Sequence, residues 1–175
     1  MILVTGGTGF VGSHLIQRMC KEGLPVRAVA RSPDKVQALK DLGVEVVKGD
    51  VSDKASLEQA TAGVERVIHL VGIIQESPGE TFHGVHVDGT RNLLEAAKKN
   101  NVRGFFYQSA LGARPNAKSE YHKTKWEAEE LVRASGIPYT ILRPSLIYGS
   151  GDRFTIRLSE MIRLSPLLPV IGSGK

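Results

Sequence analysis

The strongest indication of the fold is a glycine-rich stretch near the start of the chain, Thr5-Gly6-Gly7-Thr8-Gly9-Phe10-Val11-Gly12. It follows a short apolar run, residues 1–4, that suits a buried strand, and it precedes residues 13–22, whose apolar side chains recur at helical spacing. This order of strand, glycine turn and helix is typical of dinucleotide-binding sites. The glycines allow the backbone to approach the pyrophosphate closely, and the free N–H groups at the start of the helix can bind it. Tight turns also use glycine for conformational reasons alone, but this context favours dinucleotide binding.

Strand-like and helix-like segments alternate along the rest of the chain. The apolar patterns predict strands at 26–30, 44–48, 66–71, 105–109 and 139–142, and helices at 35–42, 54–62, 81–100 and 119–135. Asp53 is the expected N-cap of the second of these helices, and Ser32-Pro33-Asp34 is a helix start. Regular alternation with nearly continuous apolar strands predicts an α/β fold, a Rossmann-type doubly wound parallel sheet in three layers with helices on both faces.

Composition restricts the class of protein further. The chain has 175 residues and a formal charge of +5, but its basic residues are scattered among acidic ones, which favours solvated helix faces over nucleic-acid binding. The single cysteine, Cys20, excludes an intramolecular disulfide and fits a reducing compartment. The first strand leaves no room for a signal peptide, and no apolar run approaches the roughly 20 residues that span a bilayer. We therefore expect a cytoplasmic protein without a transmembrane segment.

Ligands of a doubly wound sheet gather at the carboxyl ends of its strands. The second strand ends at Arg31, where an NAD site usually has an acidic residue. A guanidinium there can bind a 2′-phosphate, so we expect NADP(H) over NAD(H), the alternative being an exposed arginine without a ligand. The third strand ends at Asp50-Val51, beside the expected adenine, although Asp50 could also form a turn. The fourth ends at 70–72, below the middle of the cofactor.

The helix after the fifth strand carries Tyr121 and Lys125. Residues four apart share a helix face, so the two side chains can enter one pocket. A phenol has a pKa near 10, and a neighbouring ammonium stabilises the phenolate and lowers that pKa towards neutrality. The pair is therefore a candidate for acid-base catalysis. The spacing alone is common, and its position after the fifth strand is what makes it informative.

Together these motifs resemble the short-chain dehydrogenase/reductase superfamily. The match rests on Gly6-x-x-Gly9-x-x-Gly12 and Tyr121-x-x-x-Lys125, and it extends to Gly49-Asp50-Val51, to residues 89–94, and to Leu142-Arg143-Pro144-Ser145 followed by Ile147-Tyr148-Gly149. These segments are similar to the extended and atypical branches, the NAD-dependent epimerase/dehydratase group. The loop 109–113 resembles proteins similar to the nucleotide-binding accessory subunit of respiratory complex I.

The resemblance implies roles for individual residues. Tyr121 would donate or accept the proton, and Lys125 would hold the nicotinamide ribose and lower the pKa of Tyr121. Ser109 is a further catalytic candidate, and Ser145 would lie near the nicotinamide. The expected cofactor contacts are Gly6, Thr8, Gly9, Phe10, Val11, Gly12, Arg31, Asp50, Val51, Leu70, Val71, Gly72, Lys125 and Pro144.

Two positions depart from the family pattern. The catalytic Ser or Thr of the family usually follows a first serine, whereas Ser109 is followed by Ala110, so Ser109 is either catalytic or structural. His86 stands where the family commonly has Asn. His83 and His86 could be metal ligands at helical spacing, but no carboxylate or cysteine completes a set nearby. We therefore expect no metal, and interpret both as surface or cofactor-adjacent histidines.

Two functions therefore stay open. The first is an oxidoreductase or epimerase that uses hydride transfer with the Tyr121/Lys125 pair on a small-molecule substrate the sequence does not identify. The second, suggested by Ala110, is a non-catalytic NAD(P)-binding scaffold, assembly factor or redox-sensing regulator. Its partners would be the dinucleotide and either a second copy or a respiratory or assembly protein, and neither function involves nucleic acid.

The resemblance also bears on the end of the chain. In the family, the Gly-x-Gly turn at 172–174 lies in mid-protein, and a C-terminal portion that follows it forms most of the substrate pocket. We therefore expect residues 1–150 to be an NAD(P)-binding domain and 151–175 the start of an incomplete substrate-binding region. A chain truncated in this way should bind cofactor with little turnover, because water enters an unclosed site. It should also expose apolar surface near 145–170 that favours self-association.

Overall fold

The computed structural model of the chain describes residues 1–32 and 36–164. The chain divides into two compact units, Met1–Pro144 and Ser145–Lys175. The division falls six residues before the domain boundary that we expected at residue 150. The assignment of the second unit to substrate binding stays a prediction.

The first unit is built on a six-stranded parallel sheet. Its strands lie in the order β3-β2-β1-β4-β5-β6, and every adjacent pair is parallel. The strands are β1 (Ile2–Thr5), β2 (Val26–Ala30), β3 (Glu45–Lys48), β4 (Arg66–His69), β5 (Gly104–Gln108) and β6 (Tyr139–Leu142). This arrangement confirms the predicted Rossmann-type topology.

Helices connect the strands at the predicted places. They are α1 (Phe10–Lys21), α2 (Gln37–Asp41), α3 (Lys54–Thr61), α4 (Gly89–Lys99) and α5 (Glu120–Arg133), with α6 (Arg153–Leu164) in the second unit. Asp53 caps α3 as predicted, because its side chain accepts hydrogen bonds from the backbone N–H groups of Ala55 and Ser56. The helix start predicted at Ser32-Pro33-Asp34 lies largely outside the described residues.

Two adjacent residues of β1 show how the sheet is covered. Leu3 and Val4 have no accessible surface, and they belong to different apolar clusters because neighbouring strand residues point to opposite faces. Leu3 packs in a cluster with residues of α3, α4 and α5 such as Leu57, Leu93 and Val132. Val4 packs in a cluster with residues of α1 and α2 such as Ile16 and Leu39. Helices therefore cover both faces, as predicted.

The long helix expected at 81–100 differs from the prediction. Its first part, His83–Asp88, is a π-helical segment that continues directly into α4. Single π-turns are rare and occur often at functional sites. The π-helical segment places His86 in the interior, without accessible surface.

The second unit exposes apolar side chains along its described part. Exposed large apolar residues are Leu146, Ile147, Tyr148, Phe154, Ile156, Leu158, Met161, Ile162 and Leu164. This agrees with the expected apolar surface as far as residue 164, while residues 165–170 and the Gly-x-Gly turn lie outside the described residues. Among residues 1–32 and 36–164, no helix is long and apolar enough to cross a membrane.

Candidate functional site

The glycine loop between β1 and α1 has a backbone that excludes side chains. Gly6 has a φ of +77°, in the left-handed region. A Cβ on Gly12 would lie 2.2 Å from the carbonyl oxygen of Gly6, so the start of α1 packs directly on the loop. Gly9 is the N-cap of α1, no side chain caps this end, and its first turn has no acidic residue. Thr8 and Gly9 are exposed. Such an accessible, uncapped helix N-terminus fits a pyrophosphate.

The end of β4 lies against this loop. A Cβ on Gly6 would be 3.0 Å from the backbone of Leu70 and Val71, so these residues border the glycine loop, while their contact with the cofactor stays a prediction. A Cβ on Gly72 would lie 3.5 Å from Nε2 of His86 and 3.6 Å from Nζ of Lys125. Gly72 therefore joins the glycine loop to the site around α5.

Asp50 and Val51, which follow β3, make hydrogen bonds within the protein. Oδ1 of Asp50 accepts hydrogen bonds from the backbone N–H and the hydroxyl of Ser52, at 2.8 and 2.7 Å, which is the turn-forming role considered above. Val51 is buried, and its carbonyl accepts a 2.9 Å hydrogen bond from Asn92. An adenine contact by Asp50 and Val51 stays a prediction.

Lys125 is the central buried cation of the site. It is 3% exposed, its Nζ donates a 2.6 Å hydrogen bond to the carbonyl oxygen of Gln108, and it lies 4.5 Å from the centroid of the Tyr107 ring. Burial lowers the pKa of Lys125 to about 7, and the charge of Glu129 opposes this shift. The amine is therefore poised to gain or lose a proton near neutral pH.

Tyr121 lies one turn before Lys125 within an aromatic enclosure. Its ring makes edge-to-face contacts with Phe82, His86 and His122, with centroids 5.9, 5.5 and 5.1 Å away. Burial raises the pKa of Tyr121 above its usual value. The expected lowering by Lys125 is not found, and the Lys125 ammonium donates its hydrogen bond to the carbonyl of Gln108.

His86 is a site residue whose role the sequence did not predict. Its Nδ1 lies 2.9 Å from the hydroxyl of Thr124, and its Nε2 lies 3.1 Å from both the N–H and the carbonyl oxygen of Ile73. The Thr124 hydroxyl donates to the carbonyl of Glu120, so we assign the proton to Nδ1, with Nε2 accepting from Ile73 N–H. His86 thereby connects the segment after β4 to α5. Its departure from the family's Asn was the only signal in the sequence.

A second buried histidine continues this polar network towards β1. Nδ1 of His69 lies 2.6 Å from the Thr5 hydroxyl, and Nε2 lies 3.1 Å from the Thr90 hydroxyl, which donates to the carbonyl of His86. Burial, followed by the charge of Lys125, lowers the pKa of His69 to about 3 and that of His86 to about 4. Both rings are therefore neutral at physiological pH.

Ser109 is directed into the protein. Its hydroxyl is buried and has no hydrogen-bond partner within the described part of the chain. Burial raises the pKa of the Glu129 carboxyl, but its hydrogen bonds with Arg143 and Arg133 outweigh it and leave this pKa below its usual value. The backbone of Ser109 extends the β5–β6 pairing through a 2.7 Å hydrogen bond to Leu142. These contacts fit the structural alternative for Ser109, and a catalytic role stays untested.

Glu129 holds the end of β6 against α5. It has no accessible surface and accepts two hydrogen bonds from Arg143, at 2.8 and 2.6 Å, and one from Arg133 at 2.6 Å. Both guanidinium groups lie over the ring of Trp126. Pro144, which follows Arg143, accepts a 3.1 Å backbone hydrogen bond from Leu111 and so lies beside the loop after β5.

The two histidines considered as metal ligands lie in different environments. His83 is on the surface, 3.1 Å from Asp88, whereas His86 is buried in the network described above. Within residues 1–32 and 36–164, no group of three or more His, Cys, Asp or Glu residues could hold a metal ion.

The parallel sheet, the glycine turn after β1 and the site at the carboxyl ends of β1, β4 and β5 define a Rossmann-type dinucleotide-binding protein. A family model described as NAD(P)H-binding matches residues 6–160. The chain belongs to this NAD(P)H-binding family of the short-chain dehydrogenase/reductase superfamily, which confirms the resemblance stated above.

Characterised relatives have several activities. The chain is 37% identical to a ceramide reductase of Caulobacter vibrioides over 98% of its own length and 54% of the relative. It is 33% identical to sterol demethylase protein B of Methylococcus capsulatus, over 86% and 52% of the two chains. It is 30% identical to the mitochondrial NADH-ubiquinone oxidoreductase 40 kDa subunit of Neurospora crassa, over 90% and 43%. The last match confirms the predicted similarity to a complex I subunit.

Solved structures share the fold. An NADPH-dependent quinone oxidoreductase of Escherichia coli in complex with NADPH is 32% identical, with a TM-score of 0.66 over 82% of this chain and 48% of that one. The NADP(H) complex of a Citrobacter triphenylmethane reductase is 27% identical, with a TM-score of 0.72 over 92% and 55%. A UDP-glucose 4-epimerase of Thermus thermophilus with NAD is 26% identical, with a TM-score of 0.70 over 81% and 54%. The chain spans about half the length of the curated relatives it matches.

Proposed function

We propose that this chain is the cofactor-binding part of an NADP(H)-dependent oxidoreductase that interconverts a hydroxyl and a carbonyl group. The observation that carries the proposal is the position of Tyr121 and Lys125 on α5, with Lys125 near Gly72, the residue that follows Val71 at the glycine loop. Reductases and dehydrogenases among the relatives support it. The scaffold alternative rests on Ala110 alone.

Tyr121, Lys125 and the start of α1 would have separate roles in this reaction. The bound nicotinamide supplies or accepts a hydride. In the direction of reduction, the Tyr121 hydroxyl gives its proton to the carbonyl oxygen, and the phenolate regains a proton from solvent. The Lys125 ammonium would stabilise that phenolate if its Nζ turned from the carbonyl of Gln108 to the phenol, which would oppose the raised pKa that Tyr121 has here. The uncapped start of α1 would hold the pyrophosphate.

Arg31 supports the proposed preference for NADP(H). It follows β2 directly, its side chain is 68% exposed, and its guanidinium can bind the 2′-phosphate in a forked geometry. Two of the solved neighbours are complexes with NADPH or NADP(H). An Arg31→Ala variant should lose the preference, and equal dissociation constants for the two cofactors in the wild type would contradict it.

The relatives suggest an apolar substrate for the protein that contains this chain. Two of the relatives described above are a ceramide reductase and a sterol demethylase protein, and a 3 beta-hydroxysteroid dehydrogenase/isomerase of Mycobacterium tuberculosis is 32% identical. Ceramide and hydroxysteroids are lipids with a hydroxyl group. Exposed apolar side chains of residues 146–164 would suit a lipid-like alcohol or ketone. We also propose a cytoplasmic location, which the single Cys20 supports. The proposed protein partner is a second copy of the protein or a respiratory protein, since one relative is a subunit of an NADH-ubiquinone oxidoreductase.

The test is a Tyr121→Phe variant of the protein that contains this chain, assayed with NADPH and a panel of apolar ketones. We expect kcat to fall about 10²–10⁴-fold with the cofactor dissociation constant unchanged, since general acid catalysis contributes that much. Tyr139→Phe, at an exposed position of β6, is the matched control. If a cellular phenotype survives Tyr121→Phe but is lost in Gly9→Val, the scaffold alternative is correct and the catalytic proposal is not.

A further inference from the structure

An ion pair joins the chain segments that follow β2 and β4. Arg31 follows β2, Glu80 lies in the segment after β4, and the Arg31 guanidinium donates a hydrogen bond to Oε1 of Glu80. β2 and β4 pair with β1 from its two sides, so their ends lie roughly 10 Å apart, two strand spacings. The glycine loop begins between them, at the end of β1. The Arg31–Glu80 pair therefore joins chain segments that leave the sheet on the two sides of β1, where the dinucleotide is expected.

Glu80 is held by a short turn. The backbone N–H groups of Ser77 and Glu80 donate to each other's carbonyl oxygens at 3.0 and 2.9 Å, and Gly79 between them has a φ of +84°. Just beyond, the N–H of Phe82 donates a 2.7 Å hydrogen bond to the carboxylate of Glu76. These contacts give the Glu80 side chain a defined origin within the segment after β4.

A carboxylate and a phosphate compete for the same donors of a guanidinium, because both accept its paired N–H groups. The Arg31 side chain is 68% exposed and that of Glu80 is 36% exposed, so water and salt weaken the pair and a phosphate dianion can displace the carboxylate. A 2′-hydroxyl carries no charge and cannot do so. Breaking the Arg31–Glu80 ion pair therefore reduces the binding free energy only of a cofactor that has a 2′-phosphate.

We propose that Glu80 is a specificity-determining residue that competes with the adenosine 2′-phosphate for Arg31 and so reduces the preference for NADP(H) that Arg31 alone would confer. This inference rests on the proposed dinucleotide site and on the proposed role of Arg31. It places the second determinant of cofactor choice on the segment after β4, outside the β2 end where a sequence motif would be sought.

Dissociation constants for NADPH and NADH, measured by calorimetry at constant ionic strength, test the proposal. We expect Glu80→Gln to tighten NADPH binding about 3- to 10-fold and to change NADH binding less than 2-fold. Arg31→Ala should weaken NADPH binding about 10-fold or more, and adding Glu80→Gln to it should have no further effect. Glu58→Gln is the matched control, since it removes a carboxylate from another exposed ion pair, with Lys99, and should leave both constants unchanged.

The outcomes separate this inference from the proposed function. Three results with Glu80→Gln would overturn the proposed competition. They are equal tightening of NADPH and NADH binding, tighter NADPH binding that persists in the Arg31→Ala background, and weaker NADH binding. The last result would make Glu80 a ribose ligand. If Arg31→Ala abolishes the NADPH preference while Glu80→Gln has no effect, the proposed function stands and only the role of Glu80 is lost. If the wild type binds neither dinucleotide, both proposals are wrong.

Discussion

The ammonium group of Lys125 donates a 2.6 Å hydrogen bond to the carbonyl oxygen of Gln108, the last residue of β5. This contact attaches α5 to the carboxyl end of the strand that precedes it. Burial raises the pKa of Tyr121, which lies one turn before Lys125 on the same helix. A ligand that replaced Gln108 as the acceptor would release Lys125 for the phenol.

The first prediction concerns Lys125 and alkaline pH. Its pKa is lowered to about 7 in the folded protein, so between about pH 7 and 10.5 the unfolded chain binds a proton that the folded protein does not. The free energy of unfolding should therefore rise with pH in this window, by up to about 1.4 kcal/mol per pH unit more than in Lys125→Met. Urea unfolding between about pH 7.5 and 9.5 measures the difference. Lys123→Met, at a partly exposed position of the same helix, should follow the wild type, and a Lys125→Met curve parallel to the wild type would contradict the prediction.

The second prediction concerns His86 and its two partners. His86→Ala should cost about 3 kcal/mol of stability, because it leaves a cavity and removes the buried partner of Thr124 and Ile73. Gln can replace the Nε2 acceptor towards Ile73, and Asn can replace the Nδ1 donor towards Thr124, so each should recover part of the loss. His14→Gln, at an exposed position of α1, should change stability by less than about 0.5 kcal/mol. The free energies of unfolding are measured with denaturant at pH 7. If all three His86 variants were as stable as the wild type, the proposed hydrogen bonds of His86 to Thr124 and Ile73 would not stabilise the protein.

The third prediction concerns acid. The pKa of His86 is lowered to about 4, so between about pH 6.5 and 4 the unfolded chain binds a proton that the buried ring excludes. The contribution of neutral His86 is complete above this window and is lost as the pH falls through it, by up to about 1.4 kcal/mol per unit. His86→Gln should have a shallower acid limb than the wild type in the same unfolding measurements. Identical limbs would mean that the ring is protonated in the folded protein.

The fourth prediction concerns the buried carboxylate of Glu129. Glu129→Ala removes the acceptor of three hydrogen bonds from Arg133 and Arg143 and should destabilise the protein by about 2–3 kcal/mol. Glu130→Ala removes the neighbouring exposed partner of Arg133 and should cost less than about 1 kcal/mol. The two variants compared by urea unfolding separate a buried ion pair from an exposed one, and equal losses would show that burial of Glu129 is unimportant.

The fifth prediction concerns the close approach of α1 to the glycine loop. Gly12→Ala places a methyl group 2.2 Å from a backbone oxygen, so the loop must move, at a cost of about 2 kcal/mol or more and with a loss of dinucleotide binding. Gly104→Ala is the control in β5, since its nearest neighbour is the Arg66 side chain at 3.5 Å. Thermal unfolding and calorimetry with NADPH measure both effects. Unchanged cofactor affinity in Gly12→Ala would show that the loop tolerates a side chain.

Local patterns in the sequence were sufficient for the architecture. Helix and strand periodicity predicted the elements of the first unit, and Asp53 was recognised as a cap because capping involves only the next few residues. Leu3 and Val4 imply a sheet covered on both faces, because adjacent strand residues must point in opposite directions. The glycine spacing predicted the loop because backbone contact at Gly12 depends on a local strand–turn–helix geometry.

The electrostatic state of the site was decided by tertiary structure. The pKa of Lys125 depends on its burial beside Tyr107 and Gln108, which the Tyr-x-x-x-Lys spacing does not contain. His86 gained its role from Ile73 and Thr124, 13 and 38 residues away. Arg31 was proposed as a cofactor contact from its place after β2, but its pairing with Glu80, 49 residues away, depends on the tertiary structure that places β2 and β4 on either side of β1. Sequence periodicity reports which face of an element is apolar, whereas desolvation and charge depend on which elements meet, and folding alone determines that.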